Sequence, residues 1–433
     1  MISVVIEQVQ GKIKMNHTKE KMFYGWYVAI GCTLIYFFTN AMTLFVPETL
    51  FPRLMEEFGS NEAEISKTVI ITLLFASLFA PLAGILIDKF GPLRIMRIGI
   101  IIMALSFSFY GLADSVSALY RLHFFLAIGL VFCGLVVNVI IVSNWFVKHR
   151  GKVVGMLVAG SSLGGAILPL LISPIVNHPD WGWRWGYGLL SIFFWLFAVI
   201  PAYTFIKETP ESMGLSPDGL DQSIPVQTIA GVSLWTAIKS RALWCLGIGS
   251  ACLWFSIQGL NSQITIFFEQ EANFSPQQAV FLFSILFWFS FIGKFTFGAI
   301  SDKIPKRKVL LLASIILFIG SLLLFDIGQN HISLTQNTTK LTLFTVIFGL
   351  GFGGSFSMIQ LVAVEIFGKA YLGRILGIIT FVDGMGAALG TNLLSQIKTN
   401  SGSYLIPFMI VTGVALIAII NVFFIKPIKP SAN

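Results

Sequence analysis

FIGKFTFGAISDKIPKRK, residues 291–308, places one lysine inside an apolar run and then becomes abruptly charged. Seven uncharged residues follow Lys294 before the charges begin at Asp302. A shorter version of the same phrase, PLAGILIDKFGPLR, occupies residues 81–94. The stretch therefore poses two questions: why a cation lies in apolar sequence, and why the phrase occurs twice.

The composition indicates a chain that lies in a lipid bilayer. Of its 433 residues 56% are hydrophobic and only 11% are charged, whereas soluble domains are about 25% charged. A soluble fold cannot bury that much apolar surface, which argues against a large soluble α/β enzyme. The four cysteines lie in apolar runs without metal-ligand spacing, so we expect buried thiols rather than disulfides or a metal site.

Twelve apolar runs are long enough to cross a membrane, since a spanning helix needs about 20 residues. They lack the alternation of a membrane β-barrel, so we expect helices. The predicted spans are 24–46, 65–87, 95–113, 118–146, 152–176, 186–206, 241–268, 277–300, 308–327, 341–364, 372–395 and 403–425.

The lysines and arginines predict the orientation, because loops rich in these residues stay in the cytoplasm. With the N-terminus inside, 21 of the 28 basic residues fall in cytoplasmic segments, 5 in outer segments and 2 within helices. We therefore expect a multi-pass protein of the cell (inner or plasma) membrane with both termini cytoplasmic. The basic residues form no soluble patch that would indicate nucleic-acid binding.

One long connection divides the spans into two sets of six. The predicted segments are a cytoplasmic N-terminal segment (1–23), a first six-helix bundle (24–206), a cytoplasmic linker (207–240), a second six-helix bundle (241–425) and a cytoplasmic tail (426–433). The first residues are too polar for a signal peptide.

The two halves repeat each other, which explains the twin phrase. Two pairs of stretches match at separations of 214 and 222 residues, close to half the chain. The matches are Gly84 with Gly298, Asp88 with Asp302, Gly151 with Gly373, and Gly155 with Gly377. Repeated six-helix halves are typical of secondary transporters, which bind substrate near the midplane between the repeats.

GILIDKFGPLR and GAISDKIPKRK resemble the loop motif of the major facilitator superfamily, which implies an all-α integral membrane fold of twelve transmembrane helices in two six-helix repeats. Three further stretches resemble the monocarboxylate porter and oxalate:formate antiporter branch: NWFVKHRGKVVGMLVAGSSLGG (144–165), KETPESMGLSPDG (207–219) and EIFGKAYLGRILG (365–377). That resemblance implies transport of small organic anions.

The charged ends of the repeated phrase are candidate gating residues: Asp88, Arg94, Asp302 and Arg307. A carboxylate there can accept hydrogen bonds from a helix N-terminus and pair with Arg or Lys, which would hold one access state closed. For the basic residues the alternative is retention of the loop in the cytoplasm. Gly84 and Gly298 are expected to let helices approach closely.

Lys294 is the candidate anion receptor, because an ammonium in a narrow cavity binds a carboxylate through charge-assisted hydrogen bonds. In the resembled branch a basic residue at this place, typically Arg, binds the substrate carboxylate, so the lysine is a departure. The alternatives are that Lys294 extends to the inner surface or pairs structurally with Asp383.

Asp383 lies where oxalate:formate members carry a lysine, which argues against oxalate exchange. One cation and one acid suit a monoanion with a proton, or a zwitterion. Asp383 is therefore expected to take part in substrate binding, to couple the proton, and to approach Lys294 across the empty cavity. The repeat makes Ser161 its counterpart. Arg121 resembles an arginine common in proton-coupled members of the superfamily, although it also suits the outer membrane edge.

Six polar residues within predicted spans are expected to line the cavity, each with helix–helix hydrogen bonding as the alternative: Tyr36, Asn40, Asn138, Gln258, Asn261 and Gln360. No catalytic triad, nucleotide loop or metal cluster is recognisable, so we expect neither an enzyme nor a cofactor.

The sequence therefore predicts a monomeric, alternating-access transporter of a small monocarboxylate-like anion, with proton symport preferred over exchange. Two alternatives stay open. One is an exchanger or importer of a larger polycarboxylate, such as a citrate-like or siderophore ligand. The other is a membrane sensor that has lost transport.

Overall fold

The computed structural model describes residues 22–218, 232–328, 331–368 and 372–426. The predicted N-terminal segment except its last two residues, part of the linker, Lys369 and most of the tail lie outside the described residues. The side chain of Asp88 is likewise not described.

Within the described residues the chain forms twelve long helices, named α1 to α12 in chain order. α1 comprises Gly25–Asn40, a π-helical turn at Ala41–Phe45 and Val46–Phe58; α4 comprises Val116–Cys133 and Leu135–Trp145; α6 comprises Gly182–Phe194, a π-helical turn at Trp195–Val199 and Ile200–Thr204. The others are α2 (Glu62–Phe90), α3 (Pro92–Tyr110), α5 (Arg150–Val176), α7 (Arg241–Gln270), α8 (Pro276–Ser301), α9 (Lys306–Leu322), α10 (Thr338–Phe367), α11 (Leu372–Ser401) and α12 (Leu405–Phe423). Eleven are long and apolar enough to span a membrane, and α9, with 17 residues, is slightly shorter.

Polar residues at the helix starts explain several of these boundaries. Asn61 and Ser275 form capping boxes with Glu64 and Gln278, which satisfy backbone N–H groups that have no partner in the first turn. Ser240 caps α7 in the same way, by accepting from the N–H of Leu243.

α1 extends twelve residues beyond its predicted end at residue 46. The sequence PET at 47–49 resembles the end of an apolar run, but Pro47 follows directly on the π-helical turn, and the helix continues through it and through Pro52. Glu48 and Arg53 are therefore inside the helix, and the predicted boundary was wrong.

α9 ends at Leu322 rather than at residue 327, because the chain turns into a short antiparallel hairpin. Strand β1 (Phe325–Ile327) pairs with β2 (Ile332–Leu334), and Lys340 Nζ contacts the Asp326 carboxylate at 2.7 Å. We call this side of the molecule the hairpin face. The opposite side, which carries the connection between α6 and α7, is the linker face.

Three helix pairs make most of the contacts between the first six helices and the last six: α2 with α11, α5 with α8, and α1 with α7. α7 also contacts α2, where Gln263 donates to Ser66. The sequence repeat relates α2 to α8 and α5 to α11. The α2–α11 pair therefore corresponds to the α8–α5 pair. Glycines bring backbones close elsewhere in the second half, where Gly390 and Gly386 of α11 pack on the backbone of Phe255 and Ala251 in α7.

The described start of the linker is bound to the first six helices. The carboxylate of Glu208 accepts from the N–H of Leu93 at the start of α3. Asp218 binds the turn before α5, accepting from the N–H groups of Val147, Lys148 and His149 and from His149 Nδ1 at 2.6 Å. The hydrogen bonds of Asp218 therefore hold this part of the linker against the turn at 146–149.

We expect Asp218→Asn to loosen that turn. Partial burial alone would raise the pKa of Asp218, but the hydrogen bonds from His149 Nδ1 and from the N–H groups of Val147 and His149 lower it below the ordinary carboxyl value. Because the pKa is depressed in the folded state, this contribution is present above the ordinary carboxyl pKa and is lost as the pH falls through the lowered value.

At neutral pH the substitution should remove about 1 kcal/mol from a partly exposed site, and so raise the local hydrogen-exchange rate of residues 147–149 roughly fivefold. Asp180→Asn, at an exposed loop position, is the matched control. An unchanged exchange rate in Asp218→Asn would contradict the contact.

Candidate functional site

Lys294 lies in the seam between α8 and α5, only 6% exposed. Its ammonium donates to the backbone carbonyl of Val158 at 3.1 Å and to Ser161 Oγ at 2.9 Å. The Phe356 ring of α10 lies 4.2 Å from Nζ, close enough for a cation–π contact. The Tyr36 hydroxyl of α1 interacts with the same Ser161. Four helices thus converge on one buried cation.

Every one of these partners is neutral. Among the described side chains, no carboxylate lies within ion-pairing distance of Lys294. A buried charge without a counter-ion is costly, and two neutral acceptors and an aromatic face offset only part of that cost. The site is therefore electrostatically incomplete, and an anion would complete it.

Asp383 lies on the side of α11 that faces α7, whereas the next residue, Gly384, packs on Ser77 of α2. Its side chain is half-buried, and Oδ1 accepts from Ser250 Oγ of α7 at 2.5 Å. The acid is therefore held by α7 rather than in the contact between α11 and α2.

The expected approach of Lys294 and Asp383 does not occur in this structure. The ammonium is bound to α5, and the carboxylate is bound to α7, each by its own hydroxyl partner. Lys294 instead contacts Ser161, the residue that the repeat makes the counterpart of Asp383. The predicted pairing of Lys294 with Asp383 failed because it considered only how deep each residue lies along its helix. It did not consider which neighbouring helix each side chain faces.

The other predicted lining residues are dispersed. Asn40 on α1 and Gln360 on α10 are half-buried. The Asn138 amide donates to the backbone carbonyls of Cys133 and Gly134, which lie at the break in α4. Gln258 donates to Glu48 across the α1–α7 interface, and the amide of Asn261 is buried without a hydrogen-bond partner among the described residues.

The two halves are closed against each other at the hairpin face. Arg53 of α1 pairs with Glu269 of α7 at 2.7 Å. Lys398 of α11, itself buried, lies 3.7 Å from Glu62 of α2 and 3.5 Å from Glu271. Sequence reasoning assigned gating only to the other face. No local pattern in the sequence indicates these pairs, because Arg53 and Glu269 are 216 residues apart.

Toward the linker face two seams between the halves are open, that of α2 with α11 and that of α5 with α8. Gly84 lies two helical turns from Ser77 on the same stripe of α2, and Gly377 has the same relation to Gly384 on α11. Neither glycine has an atom of a described residue within 4 Å of the position a Cβ would take. Gly155 of α5 and Gly298 of α8, on the stripes of the other seam, are equally open. The close approach expected at Gly84 and Gly298 is absent in this conformation.

The predicted gating residues fit that opening. Asp302 is exposed at the end of α8 and pairs with no described basic side chain, so no latch is formed at this position. Arg94 is also exposed. Arg307 donates to the carbonyl of Ile425 at 2.6 Å, at the end of α12 in the same half. Arg121 lies on the exposed face of α4, away from the seams.

In the part of the chain that the structure describes, no group of three or more His, Cys, Asp or Glu side chains is placed to hold a metal ion. The chemistry of the site therefore rests on Lys294, Asp383 and their hydroxyl partners.

Comparison with known proteins supplies the wider context. The family model described as Major Facilitator Superfamily matches residues 33–391 and 246–433. Human monocarboxylate transporter 2 is 22% identical over 89% of this chain and 82% of its own length. The cis,cis-muconate transport protein of Acinetobacter baylyi is 24% identical over 86% and 87%.

A probable hexose phosphate transport protein of Chlamydia pneumoniae is 22% identical over 70% of this chain and 69% of its own. Among solved structures, a bacterial homolog of the human lysosomal transporter Spinster superposes with a TM-score of 0.69, at 16% identity, over 95% of this chain and all of that one. The shared feature with that structure is the fold.

Proposed function

This chain belongs to the Major Facilitator Superfamily, and from that premise we propose that it is a secondary transporter that carries a small organic anion by alternating access, with Lys294 as the anion receptor and a proton as the coupling ion. The monocarboxylate-like substrate class is the preferred one.

A single observation carries the proposal: the buried ammonium of Lys294 has neutral partners, and no carboxylate among the described side chains pairs with it. One carboxylate of a substrate supplies the missing charge, and the Ser161 and Tyr36 hydroxyls beside it offer further hydrogen bonds. A single cation suits a monoanion better than a dianion. The alternative, a larger polycarboxylate, would need a second cation that the described part of the seam does not provide.

The names of these three relatives agree with an anionic substrate without deciding among anions, whereas a relative named as a riboflavin transporter does not share that charge. Monocarboxylate, muconate and hexose phosphate are all anions at neutral pH. They differ in size and in charge, so they support the class rather than one compound.

The deciding experiment measures uptake of a labelled panel of mono-, di- and tricarboxylates and a sugar phosphate into proteoliposomes, with and without an inward proton gradient. We expect accumulation of a monocarboxylate that depends on the gradient. Counterflow of a tricarboxylate alone would favour the polycarboxylate alternative, and saturable binding without any transport would favour a sensor.

We further propose that the linker face is cytoplasmic, with six-helix halves at 24–206 and 241–425 joined by the linker at 207–240. Support comes from the excess of basic residues in that face's segments. In intact cells a membrane-impermeant maleimide should label Asp114→Cys, in the exposed loop between α3 and α4, and should not label Ser216→Cys in the exposed linker. The reverse pattern would invert the orientation.

A further inference from the structure

Glu48 is a fully buried carboxyl in the middle of the closed interface between α1 and α7, at 0% exposure. Its Oε1 accepts from Gln258 Nε2 at 2.5 Å, and its backbone carbonyl accepts from Thr265 Oγ1 at 2.8 Å. Both partners belong to the other half of the molecule. The residue is therefore part of the contact that closes the hairpin face.

The second carboxyl oxygen has no partner. Glu48 Oε2 is buried and has no hydrogen bond to any described residue. Asn261 lies between Gln258 and Thr265 on the stripe of α7 that faces Glu48, and both polar atoms of its amide are also buried without partners. An ionised carboxylate in this position would be left with one neutral donor, which is costly in a dry interface.

The neighbouring charges do not compensate Glu48. Charged residues on this part of α1 and on the helices packed against it are Arg53, Glu56, Glu57, Glu62, Glu64, Lys67 and Glu269. Arg53 pairs with Glu269, Glu57 with Arg184 and Glu62 with Lys398. Glu64 caps α2, while Glu56 and Lys67 are exposed. Among the described side chains no cation is within ion-pairing distance of Glu48.

We propose that Glu48 is a proton-binding site of the hairpin-face gate, and that the closed interface seen here holds Glu48 as the neutral acid. In that form Oε1 accepts from Gln258. The Oε2–H group can then donate toward α7, where the side-chain oxygen of Asn261 has no hydrogen-bond donor among the described residues. Loss of the proton to water leaves an unpaired carboxylate, which favours separation of α1 from α7 and hydration of the interface.

This inference rests on the proposed alternating access but not on the identity of the substrate. It differs from the coupling role proposed for Asp383, because Glu48 governs the gate at the hairpin face whether or not substrate is present. The test is therefore performed without substrate, so that a failed substrate assignment leaves its result unaffected.

Spin labels on Asp180→Cys and Gln277→Cys, at exposed positions of the two halves near the hairpin face, report the opening as a distance distribution in nanodiscs. From acid to alkaline pH, the ratio of separated to close populations should rise by up to about tenfold per pH unit while one proton is released. Glu48→Gln, which keeps the acceptor for Gln258 but stays neutral, should remain closed throughout. Glu56→Gln, an exposed glutamate on the same helix, should keep the wild-type response.

A wild-type pH response in Glu48→Gln would overturn the proposal, and so would opening driven by sodium at constant pH. A second measurement needs no substitution at Glu48. Carbodiimides modify protonated carboxyls in apolar surroundings, so mass spectrometry of the otherwise unmodified protein should find Glu48 modified at acid but not at alkaline pH. Modification that does not depend on pH, or that is confined to alkaline pH, would also overturn it.

Discussion

Lys294→Ala is expected to abolish saturable anion binding. The ammonium is buried, and in the proposed complex it forms a desolvated, hydrogen-bonded pair with the substrate carboxylate. Truncating one member of such a pair costs about 2 kcal/mol or more, which corresponds to at least about 30-fold weaker binding. Because the lost interaction is with the substrate, Kd should rise while the protein remains folded and inserted. Equilibrium binding to purified protein measures the change directly.

Two companion variants separate charge from packing. Lys294→Arg keeps the charge and should retain binding, although the planar guanidinium fits differently between Ser161 and Phe356. Lys308→Ala removes an exposed lysine at the start of α9 and should bind normally. If Lys294→Ala bound the anion with wild-type affinity, the anion-receptor assignment would be wrong.

Asp383→Asn is expected to uncouple substrate transport from the proton gradient. The amide oxygen can still accept from Ser250, so the contact between α11 and α7 should be kept. With one proton per substrate, a gradient of one pH unit supports up to about tenfold accumulation in the wild type. The variant should lose that accumulation, while exchange of external for internal substrate continues within about twofold. Paired gradient-driven uptake and counterflow assays on the same proteoliposomes show the difference.

Glu365→Gln is the matched control, because this acid lies at the linker-face end of α10, beside Lys306 and outside both seams. It should keep gradient-driven uptake. Since Lys294 and Asp383 bind different helices, the double variant should show both losses rather than a rescue. Normal accumulation by Asp383→Asn, or restored binding in the double variant, would contradict this assignment.

The helical membrane fold and the repeat could be predicted from the sequence, because both depend on patterns that extend over more than one helix. Runs of about 20 apolar residues have few alternatives in a bilayer, and the two copies of the charged phrase identify corresponding helices. The end of α1 was missed for a local reason. Pro47 and Glu48 normally mark the end of a span, and only the π-helical turn before them and the facing α7 make a continuous helix possible there.

The sequence shows which residues of the candidate site are unusual, but not how they are arranged. Lys294 was identified because a cation in an apolar run is rare, and its partners show why one is tolerated. The residues that contact Lys294 could not be predicted, because they depend on how α8 is rotated and on which neighbouring helix the side chain faces. The residues that close the hairpin face were missed for the same reason. Arg53 and Glu269 are 216 residues apart, and nothing local in either stretch indicates the other.

The four open glycines of the linker face have a consequence for how sequence variation in this protein should be interpreted. A methyl group at Gly84, Gly155, Gly298 or Gly377 meets no atom in the conformation seen here, so alanine there would leave its melting temperature unchanged or slightly raised. In the opposite conformation that the proposed alternating access requires, these seams would close, and the same methyl groups would obstruct them. Variants at such positions would therefore pass a screen for expression and thermal tolerance while failing one for turnover.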